Sequence, residues 1–191
     1  MKIWIMWAFS TWKTTLAKWL YNKLKKDINW LELIINPERK IQKELNYNFN
    51  NHTLEEFYNF QKKLIEYKQE INKTKENYIS DTPVWLWLWY IWNWETKKEK
   101  EINNELKKIT FNSNSKYDIL FYLPIEFEIE NDWTRHVDKR FQEVVDERII
   151  KSLFHIKKVN WAKHVYLLSW DINTRINSAY DIIKKYLIDN K

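Results

Sequence analysis

The sequence predicts an α/β fold built on a five-stranded parallel sheet with helices on both faces. Apolar runs of strand length alternate with amphipathic helical patterns along the whole chain. The first strand runs directly into a loop and a helix in MKIWIMWAFSTWKTTLAKWL, Met1 to Leu20. With Trp read as glycine, the stretch from Lys2 becomes KIGIMGAFSTGKTTLAKGL. That is a strand, then G-x-x-x-x-G-K-T, then a helix, the arrangement of a phosphate-binding loop.

The substitution rests on composition. The 191 residues include 13 Trp and no Gly, where ordinary proteins carry about 7% Gly. An α/β chain without glycine has no residue that takes positive φ at little cost. Trp instead stands where turns need glycine, at Asn29-Trp30, Asn93-Trp94-Glu95, Asp132-Trp133, Asn160-Trp161 and Ser169-Trp170-Asp171. Every Trp is therefore expected to be glycine in the native cell, through a UGA codon that specifies glycine. The abundance of Lys, Asn and Ile fits an AT-rich genome. The alternative is a literally Trp-rich protein. Its exposed indoles, as in VWLWLWYIWNWE (Val84 to Glu95), would serve an interface or a membrane surface.

Each element follows in order. Lys2 to Met6 is an apolar strand. Lys13 to Ile28 places Leu16, Leu20, Leu24 and Ile28 four apart, one stripe of a helix. Leu31 to Ile35 is a second strand, ended by Asn36-Pro37. Glu38 to Leu45 is a short helix and Asn46 to Thr53 a loop. Thr53 and Glu56 form a capping box for a helix reaching about Lys75. Asn77 to Ser80 is the third strand, with Asp81 at its carboxyl end. Val84 to Glu95 is expected to be a flexible segment, and a charged helix follows to Ile109. Tyr117 to Leu123 is the fourth strand, stopped by Pro124; Ile125 to Trp133 is irregular and acidic. Val137 to His155 is helical, His164 to Ser169 is the fifth strand, and Asn173 to Ile188 is the last helix. One domain, 1–191, is expected, with a lid-like helical segment over about 125–150.

Composition excludes several classes. Without Cys there is no disulfide framework, thiol nucleophile or cysteine metal site. The N-terminus lacks signal-peptide character and no apolar window is long enough to span a bilayer, so a cytoplasmic protein without membrane association is expected. The net charge of +6 comes from lysines interleaved with Glu, as in KKEKEINNELKK (Lys97 to Lys108). That is the pattern of a solvated face, and nucleic acid is not an expected partner. His52, His136, His155 and His164 lack metal-ligand spacing.

In a phosphate-binding loop, consecutive backbone N–H groups point at phosphate oxygens, with a helix N-terminus behind them. The expected nucleotide-binding residues are Trp7, Ala8, Phe9, Ser10, Thr11, Trp12, Lys13, Thr14 and Thr15. Lys13 would reach the β- and γ-phosphates of ATP, and the Thr14 hydroxyl would ligate Mg2+. Asp81 lies where parallel sheets bind ligands. It is read as a second magnesium ligand or a proton acceptor, with a turn-forming aspartate as the alternative. Glu38 and Arg39 follow the second strand and are candidate contacts to a small-molecule acceptor, or a solvent-exposed pair. Arg135 and Arg140 are candidate lid arginines for a transferring phosphoryl, beside Arg148, the weaker candidate. Surface ion pairs with Asp138, Glu143 or Asp146 are the competing reading.

Together these residues resemble the small P-loop NTPases described as AAA-type ATP-binding domains, close to nicotinamide-riboside kinase and nucleoside or nucleotide kinases. The resemblance spans nearly the whole chain. It includes the phosphate loop, FYNFQKKLIEYKQEI before YISD, YDILFYLP, the D-G-x-R-type segment at Asp132 to Arg135 with DKRFQEVVDERI after it, and YLLSWDINTRI. It implies γ-phosphoryl transfer from Mg-ATP to a small nucleoside-like metabolite, with a lid-like arginine element. A nucleotide-binding ATPase or regulatory module without an acceptor is the alternative. Two departures stand out. Asp81 is followed by Thr82 where the family often has Arg, and Asn36 to Arg39 match the acidic motif after the second strand imperfectly.

Overall fold

The computed structural model describes residues 1–7, 13–48, 51–82, 96–111, 116–126, 139–158 and 162–190. The strands are β1 (Lys2–Trp7), β2 (Glu32–Ile34), β3 (Tyr78–Ser80), β4 (Tyr117–Leu123) and β5 (Ala162–Leu167). The helices are α1 (Lys13–Leu24), α2 (Pro37–Leu45), α3 (Leu54–Thr74), α4 (Lys97–Phe111), α5 (Lys139–Lys158) and α6 (Ile172–Asp189). All five strands pair in parallel, in the order β2-β3-β1-β4-β5. From β1 the chain goes to the sheet edge at β2, returns to β3 beside β1, and then crosses to β4 and β5 on the other side, so the direction reverses beside β1. In open α/β sheets the crevice beyond the strand ends at such a reversal is where ligands bind.

The chain divides into two compact units. The first comprises Met1–Ile35, Glu76–Asp81 and Lys116–Lys191; the second comprises Asn36–Lys75 and Thr82–Ser115. In the first, alternate residues of the central strands (Ile3, Ile5, Ile79, Ile119, Phe121 and Leu123) pack against Leu16, Leu20 and Leu24 of α1 and Ile176, Ala179 and Ile183 of α6. The four-residue stripe of α1 is what meets this sheet face. α5 contacts β1 and β5 and buries Val145 and Ile149. Trp4 is fully enclosed and stacks on Tyr117 at 4.7 Å between ring centroids.

In the second unit, α3 packs against α2 and α4. Ile41, Tyr47, Phe60 and Leu64 form its apolar cluster, with Tyr47 stacked on Phe60 at 4.4 Å. The capping box expected at Thr53 is present: the Glu56 N–H donates to Thr53 Oγ1 at 3.2 Å, and the Thr53 N–H donates to Glu56 Oε2 at 2.7 Å. A second, unanticipated box starts α4, where the Thr96 N–H donates to Glu99 Oε2 at 2.8 Å.

Boundaries differ from the sequence reading in places. α1 ends at Leu24, and 25–30 form turns rather than extending the helix to Ile28. β5 covers Ala162–Leu167 rather than His164 to Ser169, because Tyr117 of β4 pairs with Ala162 and so fixes the start of the strand. Leu168 still donates its N–H to the Tyr122 carbonyl at 2.9 Å.

Candidate active site

β1 delivers the chain to the phosphate-loop sequence, and α1 begins at Lys13 immediately beyond it. Residues 8–12, Ala8 to Trp12, lie outside the described residues, as does Arg135 within 127–138. For Trp7 the backbone of β1 is described. At the start of α1, Lys13 and Thr14 are partly exposed and Thr15 is exposed. The first N–H groups of a helix have no intrahelical partners and carry its positive dipole end, so they suit an anionic ligand.

Asp81 follows β3, the strand beside β1, and is 0% exposed. Its carboxylate accepts a hydrogen bond from the Thr14 hydroxyl at 2.8 Å, and its own N–H donates to the Ile34 carbonyl at 3.2 Å. Two of the residues singled out in the sequence, 67 positions apart, are thus in direct contact. A buried carboxylate is costly unless it is hydrogen-bonded or paired. The hydroxyl–carboxylate pair also forms a set of hard oxygen donors of the type magnesium takes. Among the described residues, no group of three or more His, Asp or Glu is disposed to hold a metal ion.

Glu38 and Arg39 stand in the first turn of α2, in the second unit. Pro37 pre-sets the helical φ there, and Asn36 is left-handed at φ 48°. Glu38 is partly exposed, and its Oε2 accepts a hydrogen bond from Thr82 Oγ1 at 3.2 Å. Arg39 is exposed. Arg140 is exposed in the first turn of α5, and Arg148 is partly buried farther along that helix. His52 and His164 are exposed, in contact with aromatic rings.

Two further polar pairs lie at and just beyond the end of β4 in the first unit. Arg175 in the first turn of α6 is 0% exposed and donates to Glu126 Oε2 at 2.6 Å and to the Pro124 carbonyl at 3.2 Å. Tyr122 at the end of β4 donates its hydroxyl to Asp146 of α5 at 2.8 Å. Burial raises the Asp146 carboxyl above the usual aspartate range, partly opposed by that hydrogen bond. The sequence pattern marks neither pair. The only signal for Arg175 was a charge in D-I-N-T-R-I, one turn past an N-cap aspartate, a placement more often solvent-facing.

No protein-family model matches the chain, and no curated protein matches it in sequence. Solved structures match in fold. NadR protein in complex with NAD and AMP-PNP superposes with a TM-score of 0.68 at 16% identity, over 96% of this chain and 48% of NadR. The NadR complex with NR gives 0.66 at 16% identity. Deoxyadenosine kinase from M. mycoides, with the products dCMP and a flexible dCDP bound, gives 0.65 at 14% identity over 100% of both chains. The chain thus spans about half the length of NadR (48%) and the full length of the kinase. What it shares with them is the α/β fold, a parallel five-stranded sheet flanked by helices.

Proposed function

We propose that this protein is a cytoplasmic P-loop kinase that transfers the γ-phosphoryl of Mg-ATP to a hydroxyl of a small nucleoside-like metabolite. The observation that carries the reading is the 2.8 Å contact between Thr14 and the buried Asp81, directly after the phosphate-loop sequence. Lys13 and the loop amides from Trp7 to Thr15 hold the phosphates. Thr14 and Asp81 would hold magnesium, which would supply neutralisation of the phosphate charge. The acceptor oxygen forms a bond to the γ-phosphorus, the bond from that phosphorus to the β–γ bridging oxygen breaks, and ADP leaves. The acceptor proton passes to Glu38. Asp81 is less suited to that role, because it is fully buried and already engaged by Thr14. Arg135 and Arg140 are assigned to the closing lid, and Arg39 to acceptor contact. The fold shared with a deoxyadenosine kinase and with an NR-binding protein supports nucleosides as acceptors. Among the described residues no helix is long and apolar enough to cross a membrane.

The reading includes glycine at the Trp positions, and two backbone angles support it. Trp30 and Trp170 have φ of 56° and 77°, and their side chains are 91% and 73% exposed. Among the described residues the other positive-φ positions are Asn36 and Asn46, and Asn tolerates that region where a bulky aromatic does not.

The test measures ADP formation by glycine-containing protein with deoxyadenosine or nicotinamide riboside added. Acceptor-dependent ADP supports the kinase. Phosphate release independent of any acceptor overturns it in favour of an ATPase or regulatory module.

A further inference from the structure

We infer that Thr82 is a positioning residue that holds the Glu38 carboxylate for proton removal from the acceptor; this rests on the kinase reading above. The resemblance leads one to expect arginine at this position, and a different contact is present. The Thr82 hydroxyl donates to Glu38 Oε2 at 3.2 Å across 44 residues of sequence. Thr82 is only 2% exposed, so its hydroxyl is held in place by its surroundings, whereas Glu38 remains partly open to solvent. Such an arrangement suits a base that is aimed from behind. One carboxylate oxygen is fixed by a buried donor, and Oε1 is left for the acceptor hydroxyl.

The backbone beneath Glu38 is equally constrained. Pro37 sets the first helical residue of α2, and Asn36 takes the left-handed turn that starts it. Carboxylate orientation then depends on its own rotamers, and a long, flexible side chain loses freedom when a hydrogen bond selects one of them. Asp81 and Thr82, adjacent in sequence, therefore serve different partners: Asp81 takes Thr14, and Thr82 takes Glu38. A hydroxyl also orients the carboxylate without neutralising it, which an arginine would do.

The test uses steady-state kinetics on glycine-containing protein with deoxyadenosine and nicotinamide riboside as acceptors. The variants are Thr82→Val, Thr82→Ser, Glu38→Gln and the double variant Thr82→Val/Glu38→Gln. Glu38→Gln is expected to lower kcat about a hundredfold, as loss of a general base does. Thr82→Val, which keeps the buried shape, should lower kcat about tenfold through misorientation, with KM for ATP unchanged. Thr82→Ser should restore kcat to within about twofold, and Thr82→Val should cost nothing more once Gln replaces Glu38, because residues acting as one unit are non-additive. An equal cost of Thr82→Val in both backgrounds, or no rescue by Ser, overturns the positioning role alone. Undiminished kcat in Glu38→Gln removes Glu38 as the base and this inference with it. Absence of turnover with either nucleoside overturns the kinase reading itself.

Discussion

The Thr14 hydroxyl donates to the Asp81 carboxylate at 2.8 Å, tying the first turn of α1 to the end of β3. β1 and β3 are neighbours, with Trp4 opposite Ser80, so the contact sits beside the strand that feeds the phosphate loop. Asp81 is completely enclosed. A carboxylate in that position holds its partner hydroxyl at the helix end where an anion is favoured.

Lys13→Ala should abolish ATP turnover, by at least about a hundredfold, while leaving the fold intact, since Lys13 is partly exposed and outside the apolar core. The measurement is ATPase or kinase activity on glycine-containing protein, with circular dichroism as the control for folding. Unchanged turnover would remove the phosphate-loop mechanism.

Asp81→Asn keeps the shape but removes the charge beside Thr14. It should raise the magnesium concentration needed for half-maximal turnover by about tenfold or more, because a neutral amide is a poorer ligand for a hard cation. A magnesium titration identical to that of the parent protein would show that Asp81 is a structural turn residue.

Trp30→Gly and Trp170→Gly should each stabilise the protein by about 1 kcal/mol, because glycine relieves the left-handed strain and little buried surface is lost. Trp4→Gly should do the reverse, at a cost of about 3–5 kcal/mol, since the enclosed indole leaves a cavity against Tyr117. Denaturant melts of the three variants separate strain from packing. A UGA reassignment applies to all three positions alike. Mass spectrometry of the tryptic peptide from Ile3 to Lys13, from protein made in its native cell, therefore decides the matter. Glycine at 4, 7 and 12 establishes recoding, and tryptophan there ends it.

The strands were legible because apolar runs are short and bounded, and the helix stripes because burial follows the 3.6-residue period. Leu16, Leu20 and Leu24 were read as one stripe, and all three lie in the core of the first unit. What stayed hidden depended on partners far away in sequence. Thr82 with Glu38 and Arg175 with Glu126 are separated by 44 and 49 residues. No local pattern marks either pair. The start of β5 was misplaced for a related reason: ladder pairing with β4 set it, not the hydrophobicity of HVYLLS. The capping box at Thr96 is local, but the Trp-rich stretch that runs up to Glu95 obscures the helix start beside it.

Arg175→Met should destabilise the first unit by about 2 kcal/mol, because the Pro124 carbonyl loses its donor and Glu126 loses its cation, which solvent at the surface only partly replaces. Chemical denaturation checks this, with Glu126→Gln as a milder companion. Equal stability of Arg175→Met and the parent would show that the guanidinium does not anchor the segment after β4.

Asp118 is expected to contribute to the acid sensitivity of the first unit. Burial works to raise its pKa, but it is outweighed, and the carboxyl lies below the ordinary aspartate value. The opposing contacts are the Lys163 ammonium at 2.7 Å, the Lys2 N–H at 2.8 Å and the Tyr186 hydroxyl at 3.1 Å. A depressed folded pKa means the unfolded chain binds the proton more readily. The stabilisation is therefore complete above the ordinary value of 3.8 and is lost as pH falls through the lower folded value. Asp118→Asn should lower stability near pH 7 by about 1–3 kcal/mol, the worth of hydrogen bonds to a charged group. The same substitution should flatten the decline of stability in acid. Urea midpoints collected from pH 7 down to about pH 3 give both quantities. An unchanged acid slope in the variant would assign acid sensitivity to other carboxylates and leave Asp118 as a hydrogen-bonding residue only.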